Sequence, residues 1–227
     1  MRKRPLAWVL IASMALACRS TRPAPDEQPI VAIVQGGETG EAAVSRELAA
    51  RLQTFPGERS LLRLRASAGD RTQSFRAQLQ VDRERRMLLT AYTPLGTTAL
   101  RIYAEAGSVT FLNDIESTWW RGSAIELSRT FPFFASLDPS TMALILLGLA
   151  PADSPVTYEL GPGGLRSVRV SDATVSFDPA VYPPKHVSIR TPAGQLDIEH
   201  LESLISPGRL QMPEIPKTYR CCVPPAL

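Results

Sequence analysis

The run Asp197-Ile198-Glu199-His200 is the one place in this 227-residue chain where two carboxylates and an imidazole fall within four positions. Such a set could hold a metal ion or move a proton if the three side chains converged. On a strand they do not converge, because alternation puts Asp197 and Glu199 on one face and Ile198 and His200 on the other. The chain has one further histidine, His186, so a Ser-His-Asp triad would have to be built on one of these two. It contains no G-x-S-x-G, H-E-x-x-H, P-loop or G-x-G-x-x-G. Cys221 and Cys222 are adjacent near the C-terminus. In an oxidising compartment they could form a strained vicinal disulfide, link to another chain or remain two thiols. Two cysteines with distant histidines are too few ligands for a metal site. These residues point away from catalysis, and no metal or cofactor is expected.

Cys18, the third cysteine, has a different setting. Arg2, Lys3 and Arg4 precede an apolar stretch from Leu6 to Leu16, the pattern of an export signal and too short to span a bilayer permanently. The sequence Ala15-Leu16-Ala17-Cys18 resembles the lipobox of bacterial lipoproteins, which implies cleavage before Cys18 and acylation of the cysteine. Buried acyl chains contribute about 0.8 kcal/mol per CH2, so several of them hold a protein on a membrane. Arg19 and Ser20 follow in place of an aspartate, and the resemblance then implies the outer membrane. The other reading is an ordinary secretory signal cut after Ala15-Leu16-Ala17, leaving Cys18 a plain thiol. Residues 1–17 hold three basic and no acidic residues, so the 25 basic and 22 acidic residues of the chain become 22 of each in the mature form. No surplus of positive charge survives, and no nucleic-acid partner is expected.

The elements that would position any site are mostly strands. Residues 18–38 are polar and proline-bearing and read as a tether; residues 39–205 read as one domain. Val44, Leu48, Leu52 and Phe55 recur at helical spacing from Glu41 to Phe55, with Thr39 as the expected N-cap. Leu62, Leu64 and Ala66 alternate with arginines as a first strand. From Phe75 to Asn113 four apolar runs separated by turn residues read as an antiparallel meander. In its first run Phe75, Ala77, Leu79 and Val81 alternate with Arg76, Gln78 and Gln80, so one face is apolar and the other wet. Trp119 and Trp120 are expected to face opposite ways on a further strand. Ser123 to Arg129 and Pro139 to Leu149 read as helices, the second capped by Asp138, with Met142, Leu146 and Leu149 on one face. Phe131, Phe133 and Phe134 add apolar bulk between them. Val156–Leu160, Leu165–Val170, Ala173–Phe177, His186–Arg190 and Gln195–His200 are short strands at the spacing of a barrel or half-barrel. From Ser206 onward, residues 206–227 form a proline-rich tail expected to be poorly ordered. One connection departs from habit. Thr93-Pro94-Leu95-Gly96 places a leucine at the tip of a tight turn, where it needs a partner or tucks under a neighbouring loop.

The segment from Arg86-Met87-Leu88-Leu89-Thr90 through Thr93-Pro94-Leu95-Gly96-Thr97-Thr98 to Gly107-Ser108-Val109 resembles the LolB family of outer-membrane lipoprotein receptors. Leu146-Leu147-Gly148-Leu149-Ala150-Pro151 is similar to the family's helix stop, and the likeness extends over roughly residues 41–205. The resemblance implies an α+β, mainly β fold: an incomplete, curved antiparallel barrel with helices closing its mouth. It also implies a hydrophobic cavity that accepts acylated lipoprotein cargo from a periplasmic LolA-like carrier and passes it to the outer membrane. That step is exchange of one apolar environment for another and needs no nucleotide. Pro94, Leu95 and Gly96 would form the membrane-transfer loop. Alternation and helix phase select Phe75, Leu79, Leu89, Leu100, Ile102, Phe111 and Leu146 as candidate cavity residues, although each reads more readily as packed core than as a cargo contact. The competing expectation is an envelope lipoprotein of the same fold that binds another lipid or serves as a scaffold. The tail from about Pro207 has no counterpart in the resemblance.

Overall fold

The computed structural model describes residues 38–126, 139–150, 156–170, 173–192 and 194–221. The leader, Cys18 and the tether, the phenylalanines at 131, 133 and 134, Asp138 and Cys222 lie outside them. Helix α1 spans Glu38–Gln53. Six strands follow: β1 Gly57–Ala68, β2 Arg71–Asp82, β3 Met87–Tyr92, β4 Thr98–Glu105, β5 Ser108–Asn113 and β6 Thr118–Ser123. Helix α2 is Pro139–Leu146. Strands β7 Thr157–Gly161, β8 Gly164–Val170, β9 Ala173–Asp178, β10 His186–Thr191, β11 Gly194–Ile205 and β12 Arg220–Cys221 complete the elements among the described residues.

All twelve strands belong to one sheet, in the order β12-β6-β5-β4-β3-β2-β1-β11-β10-β9-β8-β7. Two antiparallel meanders, β1 to β6 and β7 to β11, are joined where β1 pairs with β11. The sheet is open and curved rather than closed, with β12 and β7 at its edges. β1, β2 and β11 are twelve residues each and form its spine. The hairpins are built by local turn chemistry. Between β4 and β5, Ala106 and Gly107 both take positive φ, 47° and 78°, the pair of left-handed residues that a two-residue hairpin turn demands.

Alternation sorts the side chains as the sequence predicts. Leu62 and Leu64 of β1, Ala77, Leu79 and Val81 of β2, Ile102 and Ala104 of β4, and Val109 and Phe111 of β5 are buried in one core. Trp120 joins them, while Trp119 sits half-buried on the other face. α2 covers this apolar face, packing on β2, β3 and β4. Met142, Ala143, Leu144 and Ile145 are all buried, so the expected single apolar stripe gives way to a helix enclosed nearly all round. It ends at Leu146, three residues earlier than expected. Gly148 then turns the chain at a φ of 80°, and Leu147 and Leu149 are buried beyond it. α1 begins at Glu38, so Thr39 lies inside the first turn and is not the cap. Leu48 and Phe55 anchor α1 to the core. Ser123 and Glu126 begin the next helix by exchanging bonds: the Ser123 amide donates to Glu126 Oε2 at 2.8 Å, and the Glu126 amide donates to Ser123 Oγ at 3.2 Å.

The expectation of a poorly ordered tail is wrong for residues 206–221. They run as a strap over the outer face of the sheet. The Leu210 amide donates to Asp82 Oδ2 at 2.9 Å, Met212 Sδ meets Thr110 Oγ1 at 3.7 Å and Arg121 at 3.2 Å, and the Tyr219 hydroxyl donates to Asp114 Oδ1 at 2.6 Å. β12 then pairs with β6, parallel where the other ladders are antiparallel. The consequence shows in β4 and β5, which are buried on both faces: Tyr103, Thr110 and Leu112 point away from the core yet are 3%, 1% and 0% exposed. Composition misleads here because proline cannot continue a ladder but does not stop a chain being pinned by side-chain acceptors.

Asp82 is the first pin. Its Oδ1 accepts the amides of Glu84 and Arg86 at 2.9 and 3.0 Å, and its Oδ2 takes Arg86 Nε at 2.7 Å besides the Leu210 amide. Burial works against its charge, but the Leu210 amide and the Arg86 guanidinium prevail and hold the carboxyl below its ordinary range. Asp82→Ala removes the buried partner of the Arg86 guanidinium and the acceptor of three amides, and is expected to lower stability by about 3 kcal/mol. Urea denaturation measures that loss, and hydrogen exchange at Leu210 should rise with it.

Candidate functional site

The β3–β4 turn is held rigidly and aims its leucine outward. Pro94 sets φ at the first central position, Leu95 follows, and Gly96 takes a φ of 82°. The Gly96 amide donates to the Thr93 carbonyl at 2.9 Å, the Thr93 amide donates to the Thr97 carbonyl at 2.8 Å, and the two threonine hydroxyls lie 2.8 Å apart. Leu95 is 92% exposed, so it does not tuck under a neighbouring loop. The β5–β6 turn stands on the same rim of the sheet, as the Asp114 amide donates to the Ala99 carbonyl at 3.0 Å. Asn113 Oδ1 accepts the amides of Ile115 and Glu116 at 3.1 and 3.0 Å. Ile115 is thereby held 51% exposed. Sequence reading passed over it, although an isoleucine in Asn-Asp-Ile-Glu-Ser between two strands carries the same signal as Leu95.

Of the seven candidate cavity residues, Leu79, Ile102 and Phe111 are buried in the core, and Phe75, Leu89, Leu100 and Leu146 are partly buried against it. Six of them belong to the sheet face covered by α2, and Leu146 is the last residue of α2 itself. A separate groove of about 590 Å³ opens beside the Leu95 turn, lined by Leu61, Arg63, Ser74, Arg76, Tyr92 and Pro94 among others. Of the seven, Phe75 alone reaches it. Register explains this, because Arg63 opposes Arg76 and Arg76 opposes Tyr92 on the outer face.

The chemistry-bearing residues near His200 separate as alternation requires. Asp197 Oδ1 accepts Ser188 Oγ at 2.9 Å and Gln195 Nε2 at 2.7 Å, and Glu199 pairs with Arg63. His200 turns inward, with neither ring nitrogen in a hydrogen bond of good geometry. Burial pushes its pKa down to about 4, a loss that the nearby Leu146 carbonyl only partly offsets.

Glu58 and Ser60 continue the inward-facing set of Leu62 and Leu64 on β1, and a bulge at Leu201 of β11 brings Ser203 opposite Ser60. Glu58, 7% exposed, accepts Ser60 Oγ at 2.8 Å, and Ser60 Oγ lies 2.9 Å from Ser203 Oγ. Burial raises the Glu58 carboxyl above its ordinary value against the pull of Ser60, Ser203 and Tyr182. Burial and the neighbouring Glu58 push Tyr182 to about 12, while Arg51 stacks 4.4 Å over its ring. These hydroxyls satisfy one carboxyl inside an apolar interior. Glu58 and Ser60 escaped sequence reading because the expected first strand begins at Leu62, although alternation from Leu62 and Leu64 turns both inward.

No family model and no curated protein matches this chain. Solved structures do. A domain described as an outer membrane lipoprotein-sorting protein, from Vibrio parahaemolyticus, superposes with a TM-score of 0.51 at 10% identity, over 77% of this chain and 95% of that one. The chain has a LolA/LolB-like fold. A LolA superfamily protein from Nitrosomonas europaea matches at a TM-score of 0.47 and 8% identity, over 77% of this chain and 94% of that one. A DUF1329 family protein from Desulfovibrio piger gives 0.48 and 9% over 75% and 95%. In this LolA/LolB-like domain the open sheet and its α2 cover agree with the expected half-barrel.

His200 and Glu58 shift stability with pH in opposite directions. The unfolded chain protonates His200 near 6.5 and the folded one only near 4, so its contribution is complete above pH 6.5 and is lost as pH falls toward 4, by at most about 3 kcal/mol. Glu58 is raised, so the folded state holds its proton longer and stability falls as pH rises above 4.5. His200→Leu should flatten the acid limb of a stability–pH profile. Glu58→Gln, which keeps an acceptor for Ser60, should raise stability at pH 7 by about 1 kcal/mol. Thermal unfolding between pH 4 and 8 measures both.

Proposed function

We propose that this protein is an outer-membrane-anchored lipoprotein, acylated at Cys18, whose LolA/LolB-like domain accepts the acyl chains of lipoprotein cargo from a LolA-like periplasmic carrier and helps insert them into the outer membrane. The observation that carries this reading is Leu95, 92% exposed on a turn whose hydrogen bonds hold it out. A leucine held out on a rigid turn gains by entering an apolar phase, and a bilayer supplies one. The fold shared with a lipoprotein-sorting domain supports the choice of cargo.

Transfer in this scheme is a sequence of burials. Acyl methylenes leave the carrier's apolar site for the face between the sheet and α2, where Phe75, Leu89, Leu100 and Leu146 are partly buried and Leu79, Ile102 and Phe111 form the floor. Each stage replaces one apolar contact with another, so the net free energy of a step stays small although the gross burial is large. Leu95 brings the domain's rim to the bilayer, where the cargo finds a larger apolar sink. In this scheme Pro94 and Gly96 position that leucine.

The test uses the mature chain with Cys18→Ala, following cargo from carrier to protein to liposome. Leu95→Glu should leave uptake near wild type and slow delivery at least tenfold, since a carboxylate opposes entry into the acyl layer. A folded protein that takes no cargo from a competent carrier would exclude the receptor reading and leave the same fold as a binder of another lipid or a scaffold.

A further inference from the structure

The rim that carries Leu95 is not only apolar. β1 and β2 present Arg63, Arg65 and Arg76 on the outer face next to it, with Arg63 directly opposite Arg76 and Arg65 opposite Ser74. Like charges facing each other across a ladder are unfavourable unless an anion lies between or beside them. Arg63 is answered by Glu199 on β11. Asp197, which pairs in register with Arg65, is engaged by Ser188 and Gln195. Arg65 and Arg76 are exposed and form no ion pair among the described residues. Arg76 and Arg63 line the groove of about 590 Å³ that ends at Pro94 and Gly96, the two neighbours of Leu95. Asp70, in the β1–β2 turn, is the nearest carboxylate in sequence to this pair on that rim.

We propose that this rim docks on an anionic bilayer surface, with Leu95 and Ile115 entering the acyl layer and Arg65 and Arg76 taking lipid phosphates at the mouth of the groove. The occupant follows from charge and placement. A guanidinium recognises a phosphate through paired N–H donors, and two uncompensated arginines beside two outward apolar tips match the order of headgroup over hydrocarbon. A soluble acidic protein would answer the arginines and leave Leu95 and Ile115 in water. The outer strap supports the geometry: Tyr219 and Arg101 both hold Asp114, which fixes the turn that presents Ile115. The inference deepens the transfer reading for Leu95, whereas Ile115 and the arginines stand on their own placement.

The experiment is vesicle co-sedimentation of the mature chain with Cys18→Ala, using phosphatidylcholine alone or phosphatidylcholine with phosphatidylglycerol. Wild type should bind the anionic vesicles more tightly. Arg65→Gln with Arg76→Gln should lower that affinity about 30-fold, at about fivefold per arginine, and leave binding to neutral vesicles and the thermal midpoint unchanged. Ile115→Asp should weaken binding to both compositions. Equal binding of wild type to the two compositions, or anionic binding undiminished in the double arginine variant, overturns the proposal. Displacement by inorganic phosphate beyond the effect of chloride at matched ionic strength assigns the groove to a free anion and overturns the membrane assignment. None of these outcomes touches the transfer reading, which is scored separately by cargo release into neutral liposomes.

Discussion

An open sheet has two faces and no interior of its own, and this constraint governs the structure. Closing a barrel would bury one face by geometry. Here the twelve strands stop short of closing, so each buried surface must be supplied by another part of the chain. The Pro139–Leu149 segment supplies the inner cover. Its side chains are buried nearly all round because they pack on β2, β3 and β4.

The outer cover is partial and comes from the tail. Its described residues run from the Asp82 end of β2 to β5 and β6, leaving the opposite end of β1 and β2 to present arginines and a groove. The division follows the polarity of the outer residues. Tyr103, Thr110 and Leu112 gain from being dried, whereas Arg63, Arg65 and Arg76 would cost several kcal/mol each if buried unpaired. The two pins of the strap, Asp82 and Asp114, are carboxylates already paired with Arg86 and Arg101. A carboxylate has acceptor capacity left after one guanidinium, and the tail uses it.

The polar cluster at Glu58 stands where the inner face changes character. Past the bulge on β11 the strand presents Ser203 in place of an apolar residue, and the sheet can then hold a buried carboxyl among hydroxyl donors. The rim at this end of the sheet is therefore polar inside, while Leu95 and Ile115 stand on the opposite rim.

The strands, their order of facing and the exposed turn were legible in the residues themselves. Alternation in Phe75-Arg76-Ala77-Gln78-Leu79 dictates one buried face, and Pro94 and Gly96 dictate a tight turn, because both are local consequences of backbone geometry. The inner position of His200 was legible for the same reason. The fate of residues 206–221 was not, since proline and charge suggest a free tail until Asp82 and Asp114, more than a hundred residues earlier, are brought beneath it. Nor was the full polar patch at Glu58: alternation from Leu62 turns Glu58 and Ser60 inward, but Ser203 meets them only through the bulge that shifts β11 against β1. The sequence determined each strand's apolar side by local spacing; which remote groups would satisfy the polar atoms was decided by the tertiary structure, because hydrogen-bond partners far apart in the chain are set only when the sheet assembles.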